Sequence, residues 1–184
     1  GYAKYLNNNG NNDESTRYFK MAADNGSAEG MWQYAVRLHL GIGTPVDLNQ
    51  ACNYFRMATE KGNLSACNAY GMMLEKGIGT QQNKRTAIEF YRAAAEKGLA
   101  SSANNLAVMI HNGDGIQKSD QVSCQFLKIS ADAGLDVSMF NYAYMLQKGF
   151  GEPVDLQRAG NYYKMAADKG NVNAMNAYAQ MLES

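Results

Sequence analysis

Few residues of this chain have the types and the spacing that binding or catalytic chemistry requires. Four Gly-x-Gly loops share the first two glycines of a dinucleotide-binding fingerprint: Gly41/Gly43, Gly77/Gly79, Gly113/Gly115 and Gly149/Gly151. The third glycine of that fingerprint is missing after each loop, and no strand pattern precedes the loops. We therefore expect no cofactor to bind at these loops.

The histidines and cysteines do not form a metal-binding or nucleophile motif. His39 and His111 occupy equivalent positions of two non-adjacent repeats, defined below, and would lie too far apart to bind one metal ion. Cys52, Cys67 and Cys124 are too few for a disulfide framework and are predicted to be reduced, buried thiols. The hydrolase motifs Ser-x-x-Lys, Gly-x-Ser-x-Gly and His-Glu-x-x-His are absent. We predict that the protein is not an enzyme and has no metal site.

The bulk composition argues against nucleic-acid and membrane partners. The formal net charge is +0 at pH 7, so no net field attracts phosphates or an acidic lipid surface. No apolar run approaches the roughly 18 residues that a membrane span needs. The sequence does not identify the compartment; we favour the cytoplasm and expect any targeting signal to lie outside this piece of chain.

A strict repeat organises the chain. Five glycines stand 36 residues apart, and each closes a similar phrase, as in YFKMAADNG, YFRMATEKG and YYKMAADKG: Gly26, Gly62, Gly98, Gly134 and Gly170. A fixed period of this length is typical of stacked helical repeats. Such arrays seldom carry a catalytic pocket and instead present an extended surface.

Each period contains two predicted helices. The first helix should begin after a capping residue and end at the repeat glycine; the caps are Asn11, Asp47, Asn83, Ser119 and Asp155. Spacings of three and four predict that it buries two columns of small residues and one aromatic column: Ser15/Ala51/Ala87/Ser123/Ala159, Ala22/Ala58/Ala94/Ser130/Ala166 and Tyr18/Tyr54/Phe90/Phe126/Tyr162. On its solvated face, a basic residue precedes an acid by four in every repeat.

The second helix has one predicted buried arc, with small, aromatic, Leu and mostly Met positions. Its main columns are Gly30/Ala66/Ser102/Ser138/Ala174, Tyr34/Tyr70/Leu106/Tyr142/Tyr178 and Leu38/Leu74/Ile110/Leu146/Leu182. The Met and Tyr stripes are therefore interpreted as packing rather than as a cofactor site.

Together these features resemble the Sel-1-like repeat, a relative of the tetratricopeptide repeat. The resemblance is carried in register by the Gly-x-Gly loop, the capping Asp and the run Ala-x-x-Tyr-Phe-x-x-Ala-Ala-x-x-Gly, with Asn83 and Ser119 replacing Asp and an Asn-rich stretch at 7–12 replacing the first loop. It implies an all-α fold, a right-handed superhelical solenoid of about five two-helix repeats with a 36-residue period. It also implies that residues 1–184 form a single array, expected to be part of a longer one.

The same resemblance implies an adaptor that recruits other proteins. By similarity to tetratricopeptide arrays, the outward arc of the second helix lines the concave groove, and there the residues differ from repeat to repeat. We predict that a protein or extended peptide binds along this groove to apolar, aromatic and Asn side chains: Trp32, Val36, Asn68, Met72, Asn104, Asn105, Val108, Phe140, Asn141, Tyr144 and Asn176.

Other interpretations stay open at this stage. A helical repeat can bind RNA one base per unit, although Lys76 and Lys148 in the groove are offset by glutamates. Some cysteine-rich bacterial members of the family have been linked to β-lactam binding or hydrolysis. End-to-end self-association is a third alternative, because the last apolar face, with Tyr178 and Leu182, lacks a polar cap. A structural alternative is that the Asn residues reflect composition and Trp32 packs against the neighbouring repeat.

Overall fold

The computed structural model describes residues 11–183, and every regular element within them is an α-helix. The ten helices there are α1 (Asn12–Asp24), α2 (Ala28–Leu40), α3 (Leu48–Glu60), α4 (Leu64–Lys76), α5 (Lys84–Glu96), α6 (Ala100–Asn112), α7 (Asp120–Asp132), α8 (Asp136–Lys148), α9 (Leu156–Asp168) and α10 (Val172–Leu182). The predicted all-α class with five repeats of two helices is confirmed. Most of the Asn-rich stretch at 7–12 lies outside the described residues.

The chain divides into two compact units, the first ending at Phe90 and the second beginning at Tyr91. The first unit has a core built on the buried rings of Phe19, Tyr34 and Phe55. The second has a core that includes Leu127, Tyr142, Leu146 and Tyr163. No helix within residues 11–183 is long and apolar enough to cross a membrane.

The predicted caps start the first helix of every repeat. The side-chain oxygens of Asn11, Asp47, Asn83, Ser119 and Asp155 each accept a hydrogen bond from the backbone N–H three residues later, at 2.9–3.3 Å. These bonds satisfy amides that would otherwise have no partner at a helix start. Four predicted ion pairs on the solvated face are also present, between Lys20 and Asp24 and in the equivalent places of three other repeats, at 2.6–3.0 Å.

In three helix pairs the second glycine of the Gly-x-Gly loop packs against the start of the first helix of the pair. Gly79 has a φ of +64°, a conformation that side chains with a Cβ rarely adopt. Its backbone also lies so near the first turn of α3 that an added Cβ would overlap the carbonyl of Leu48. Gly43 and Gly151 make the same close approach to α1 and α7. Each of these loops is therefore packed against the start of the first helix of its own pair.

The aromatic column predicted for the core of the first helix is only half-buried. Tyr54 and its equivalents lie at the edge of the core, and the next residue in each repeat is buried instead: Phe19, Phe55, Tyr91, Leu127 and Tyr163. The edge position suits a ring with a hydroxyl group, since Tyr162 packs edge-on against Tyr142 at 4.9 Å while donating to the Asp132 carboxylate at 2.9 Å. The spacing of three and four cannot distinguish two adjacent columns that both hold aromatic residues.

The buried columns of the second helix are as predicted in most repeats. Ala66, Ser102, Ser138 and Ala174 have no exposed surface, and Leu38, Leu74, Ile110 and Leu146 are buried. The last helix, α10, is the exception, because Leu182 is 70% exposed and Tyr178 is only half-buried. Within the described residues no helix follows α10 to cover them.

The three cysteines are buried thiols, as predicted. The Cys124 thiol donates to the backbone carbonyl of Phe150 at 2.9 Å. Burial, together with the carboxylates of Glu152 and Asp120, raises the pKa of this thiol to about 11. The thiol is therefore kept protonated in the folded protein at a pH where an unfolded cysteine ionises.

Replacing Gly79 by Ala should lower the free energy of unfolding by about 2–4 kcal/mol, from the left-handed backbone strain and the overlap with Leu48. Gly62→Ala is the matched control, because φ is +85° there but no atom lies within 4 Å of the added Cβ. We expect the control to cost only about 1–2 kcal/mol. Urea denaturation of both variants measures the difference, and equal costs would show that the loop contact is unimportant.

Cys124 should make the folded protein less stable above pH 9. A thiol whose pKa rises from 9.0 unfolded to about 11 folded stabilises fully below pH 9, and that stabilisation is lost as the pH rises through 11. Between pH 8 and pH 10 the loss should be about 1 kcal/mol. Urea denaturation of Cys124→Val and of the unchanged chain across this range should show a shallower pH dependence for the variant. Parallel curves would mean that the buried thiol does not titrate in this way.

Candidate functional site

A surface pocket occurs at the equivalent place in three repeats. Its walls are outward residues of two consecutive second helices, and its floor is the buried residue of the first helix between them. The floor residues are Phe55 in the first unit, and Leu127 and Tyr163 in the second. The pockets therefore follow from the repeat itself, while their lining changes with the sequence of each repeat.

One of these pockets, which we call the apolar pocket, lies between α6 and α8 and has a volume of about 310 Å³. It is defined by Val108, His111, Ser123, Leu127, Phe140, Asn141, Tyr144 and Met145. Val108 and Tyr144 are each 39% exposed, so part of each side chain is accessible to a ligand. The Ser123 hydroxyl donates to the backbone carbonyl of Ala107 in α6 at 2.7 Å, so its hydrogen is not available to a ligand in the pocket.

The polar pocket is the next one along, between α8 and α10, with a volume of about 370 Å³. It shares Phe140 and Tyr144 with the apolar pocket and adds Gln147, Lys148, Tyr163, Asn173, Asn176, Ala177 and Gln180. The Tyr163 hydroxyl donates to Gln147 at 3.0 Å, and burial raises the pKa of Tyr163 to about 12. The floor is therefore neutral, and the Lys148 ammonium group lies 5.9 Å from the centre of the Tyr144 ring at the edge of the pocket.

The first unit carries an equivalent pocket of about 260 Å³, lined by His39, Phe55, Ala69, Met72, Met73, Lys76 and Ile78. Met72 and Lys76 stand where Tyr144 and Lys148 stand in the second unit. Trp32 and Val36, predicted for the groove, are half-buried and pack against the core of this unit. Asn68 lies beside Met72, with its amide nitrogen 3.8 Å from the Met72 sulfur.

In the second unit the predicted residues divide into pocket and packing positions. Val108, Phe140, Asn141 and Tyr144 come together in the apolar pocket, and Asn176 lines the polar pocket. Asn105 is half-buried on α6.

Asn104 belongs to a polar network under the surface. It is only 9% exposed, and its side-chain oxygen accepts from the Ser138 hydroxyl at 3.1 Å and from the Asn141 amide at 2.9 Å. The Ser130 hydroxyl, 2.6 Å from that of Ser138, also donates to the backbone carbonyl of Ala100. The network joins α6, α7 and α8, so the Asn104 oxygen is already engaged within the fold.

Residue types used in nucleophilic catalysis meet beside the apolar pocket. His111 Nδ1 lies 2.7 Å from an Asp120 carboxylate oxygen, and the Ser123 side chain lines the same pocket. Ser123 is fully buried, however, and its one hydroxyl hydrogen is donated to Ala107. The Ser123 hydroxyl is therefore hydrogen-bonded to the backbone and not to a histidine, unlike an activated serine nucleophile. Within residues 11–183 no group of His, Cys, Asp and Glu side chains could hold a metal ion.

Sequence reasoning missed the pocket floors and the pocket edges. Leu127 and Tyr163 cannot be identified from the sequence, because a spacing of three and four fits the neighbouring aromatic column equally well. Gln147 and Lys148 lie in the predicted groove arc but are not among the predicted binding residues. The sequence feature that identifies them is their position in the repeat, one helical turn after Tyr144 on the same face of the helix.

The comparisons with known proteins agree with this architecture. The family model described as Sel1 repeat matches five consecutive segments, residues 3–27, 28–63, 64–99, 100–135 and 136–171. The resemblance predicted from the repeat pattern is thereby confirmed. No curated protein matches the chain in sequence.

Several solved structures are similar to the chain. A protective antigen from uropathogenic Escherichia coli strains, displaying an SLR fold, is 28% identical with a TM-score of 0.88 over 98% of this chain and 39% of its own. A Sel1 repeat protein from Oxalobacter formigenes is 27% identical with a TM-score of 0.89, over 95% of this chain and 71% of its own. Helicobacter pylori cysteine rich protein B shares the fold alone, at 19% identity and a TM-score of 0.58, over 72% of this chain and 95% of its own. This chain thus spans less than half the length of the Escherichia coli antigen.

Asn104→Ala should lower the free energy of unfolding by about 1–3 kcal/mol, because it leaves the buried Ser138 hydroxyl and the Asn141 amide without their acceptor. Asn176→Ala is the matched control: it occupies the same repeat position but is exposed, and its effect should be within about 0.5 kcal/mol of zero. Urea denaturation distinguishes the two. Similar small effects from both changes would mean that the Asn104 network contributes little to stability.

Proposed function

The chain belongs to the Sel1 repeat family, whose members generally act as protein–protein interaction scaffolds, and we propose that it binds a segment of a partner protein on the outward face of its second helices. The observation that carries this proposal is the pocket that recurs between consecutive second helices. Recurring pockets suit a long, flexible ligand that places successive side chains in successive sites.

The energetics of the pocket lining support a protein ligand. Phe140 and Tyr144 form a wall shared by two pockets, and aromatic residues in such places contribute most of the binding energy at protein interfaces. Uncharged amides such as Asn173 and Asn176 can both donate to and accept from a peptide backbone. An extended segment offers side chains for the pockets and backbone groups for the amides at the same time.

A binding role also fits the state of the polar groups beside the apolar pocket. Sel1 repeat proteins are typically non-catalytic helical repeat scaffolds. In this chain the Ser123 hydroxyl and the Asn104 oxygen are used within the fold. What the pocket offers a ligand is therefore apolar area, mainly from Val108, Phe140 and Tyr144.

The first test is affinity capture with a variant of three aromatic residues, Trp32→Ala/Phe140→Ala/Tyr144→Ala. Proteins captured by the unchanged chain should be lost with this variant, because the shared pocket wall and the predicted anchor Trp32 are removed. Quantitative mass spectrometry of the captured proteins measures the loss. Circular dichroism melting must show that the variant is folded at the capture temperature.

The matched control removes exposed apolar side chains from the first helices. Met21→Ala/Ile129→Ala/Met165→Ala changes side chains that are 46–59% exposed on α1, α7 and α9. We expect this control to capture the same proteins as the unchanged chain. Loss with the control and retention with the aromatic variant would instead assign recognition to the first helices.

A further inference from the structure

The two pockets of the second unit differ in chemistry but share one wall. The apolar pocket is floored by Leu127, and the polar pocket by the hydroxyl-bearing Tyr163. Phe140 and Tyr144 stand between them, with the Phe140 ring 5.7 Å from that of Tyr163. A ligand that crosses this wall meets an apolar site on one side and a polar site on the other.

The apolar pocket has room for a large side chain. Its volume of about 310 Å³ lies at the lower end of the roughly 300–1,000 Å³ found for small-molecule sites. Its polar groups are few, since Ser123 is turned away and Asn141 bonds to Asn104. It can therefore accept a Leu, Met or Phe side chain, which would lose no hydrogen bond there.

The charge of the polar pocket favours an anion. Lys148 is the one charged residue in the lining of either pocket, apart from the ionisable ring of His111. Within the described residues, Lys148 has no carboxylate partner; its ammonium group contacts only the Tyr144 ring. Two carboxylates of the second unit already have partners: Glu152 is bound by Arg158 and Tyr142, and Asp120 by His111. A ligand carboxylate could therefore pair with Lys148 without displacing an existing partner.

The distance between the pockets sets the spacing of the ligand residues. The pockets are one repeat apart, and packed helix layers are roughly 8–10 Å apart. An extended segment in the polyproline II conformation has about 3.1 Å per residue and three residues per turn. Side chains three residues apart then point the same way and are about 9 Å apart, which matches one repeat.

We propose that the second unit selects an extended protein segment with a large apolar residue for the apolar pocket and an Asp or Glu three residues away for the Lys148 side of the polar pocket. This inference rests on the proposed function and adds the chemistry of the partner. The apolar residue supplies most of the affinity, and the acidic residue supplies the selectivity.

The test is a selection of random 12-residue peptides, displayed on phage, against the purified whole chain. The selected peptides should share a large apolar residue and an acid three positions away. The same selection on Lys148→Glu should replace the acid by Lys or Arg, because the charge at the pocket edge is reversed. Lys97→Glu, the same change at an exposed lysine of the second unit outside both pockets, should leave the acid preference unchanged.

A synthetic peptide from the selection then gives the size of each contribution by fluorescence anisotropy. Replacing its acid by Ala should weaken binding to the unchanged chain about three- to tenfold, and should have no effect on binding to Lys148→Ala. Replacing its apolar residue by Ala should weaken binding at least tenfold. Phe140→Ala/Tyr144→Ala should abolish measurable binding, with folding confirmed by circular dichroism.

The outcomes separate this inference from the proposed function. Peptides that require Phe140 and Tyr144 but show no acid, or keep the acid on Lys148→Glu, would overturn the inference and leave the proposed function standing. Peptides that are selected equally well by Phe140→Ala/Tyr144→Ala would overturn both. The absence of any peptide enriched over that variant would also overturn both.

Discussion

The close approach of paired helices at small residues is the constraint on which the rest of the structure depends. Ala51, Ser123 and Ala159 on the first helices, and Ala66, Ser138 and Ala174 on the second, have no exposed surface. A larger side chain at these positions would push the helices apart, because protein interiors have no room for added atoms. One face of each second helix is thereby committed to packing, and the other face is left to vary.

That constraint explains why so much of the fold was predictable. A column that must stay small, a cap that must accept a backbone N–H and a glycine that must adopt a left-handed conformation recur every 36 residues. A chance match at one position would not repeat in register. The cap at Asp47 is therefore supported by the equivalent cap at Asp155, and the turn at Gly62 by the equivalent turn at Gly170. The helix bounds and the buried columns follow from this repetition.

The candidate site was less predictable because it depends on contacts between helices of adjacent repeats. The role of Asn104 requires Ser138 and Asn141 on α8 to come within hydrogen-bond distance, which no spacing within one helix reveals. The buried column that contains Leu127 adjoins an aromatic column of similar pattern, so hydrophobic periodicity alone favoured the wrong one. Repetition identifies what each repeat shares, whereas a binding site depends on what one repeat has and its neighbours lack.

The variation that creates the site therefore begins in the core. At one buried position the repeats have a ring in Phe55 and Tyr163 but an aliphatic side chain in Leu127. Leu127 leaves an apolar pocket that reaches down to an aliphatic floor, whereas the Tyr163 hydroxyl bonds to Gln147 and gives the neighbouring pocket a polar floor. Because Phe140 and Tyr144 border both, changing the floor changes what each side of the same aromatic wall can bind. A repeat protein can in this way acquire a non-repetitive surface while the small residues at which its helices pack, such as Ala51, Ser123 and Ala159, stay small.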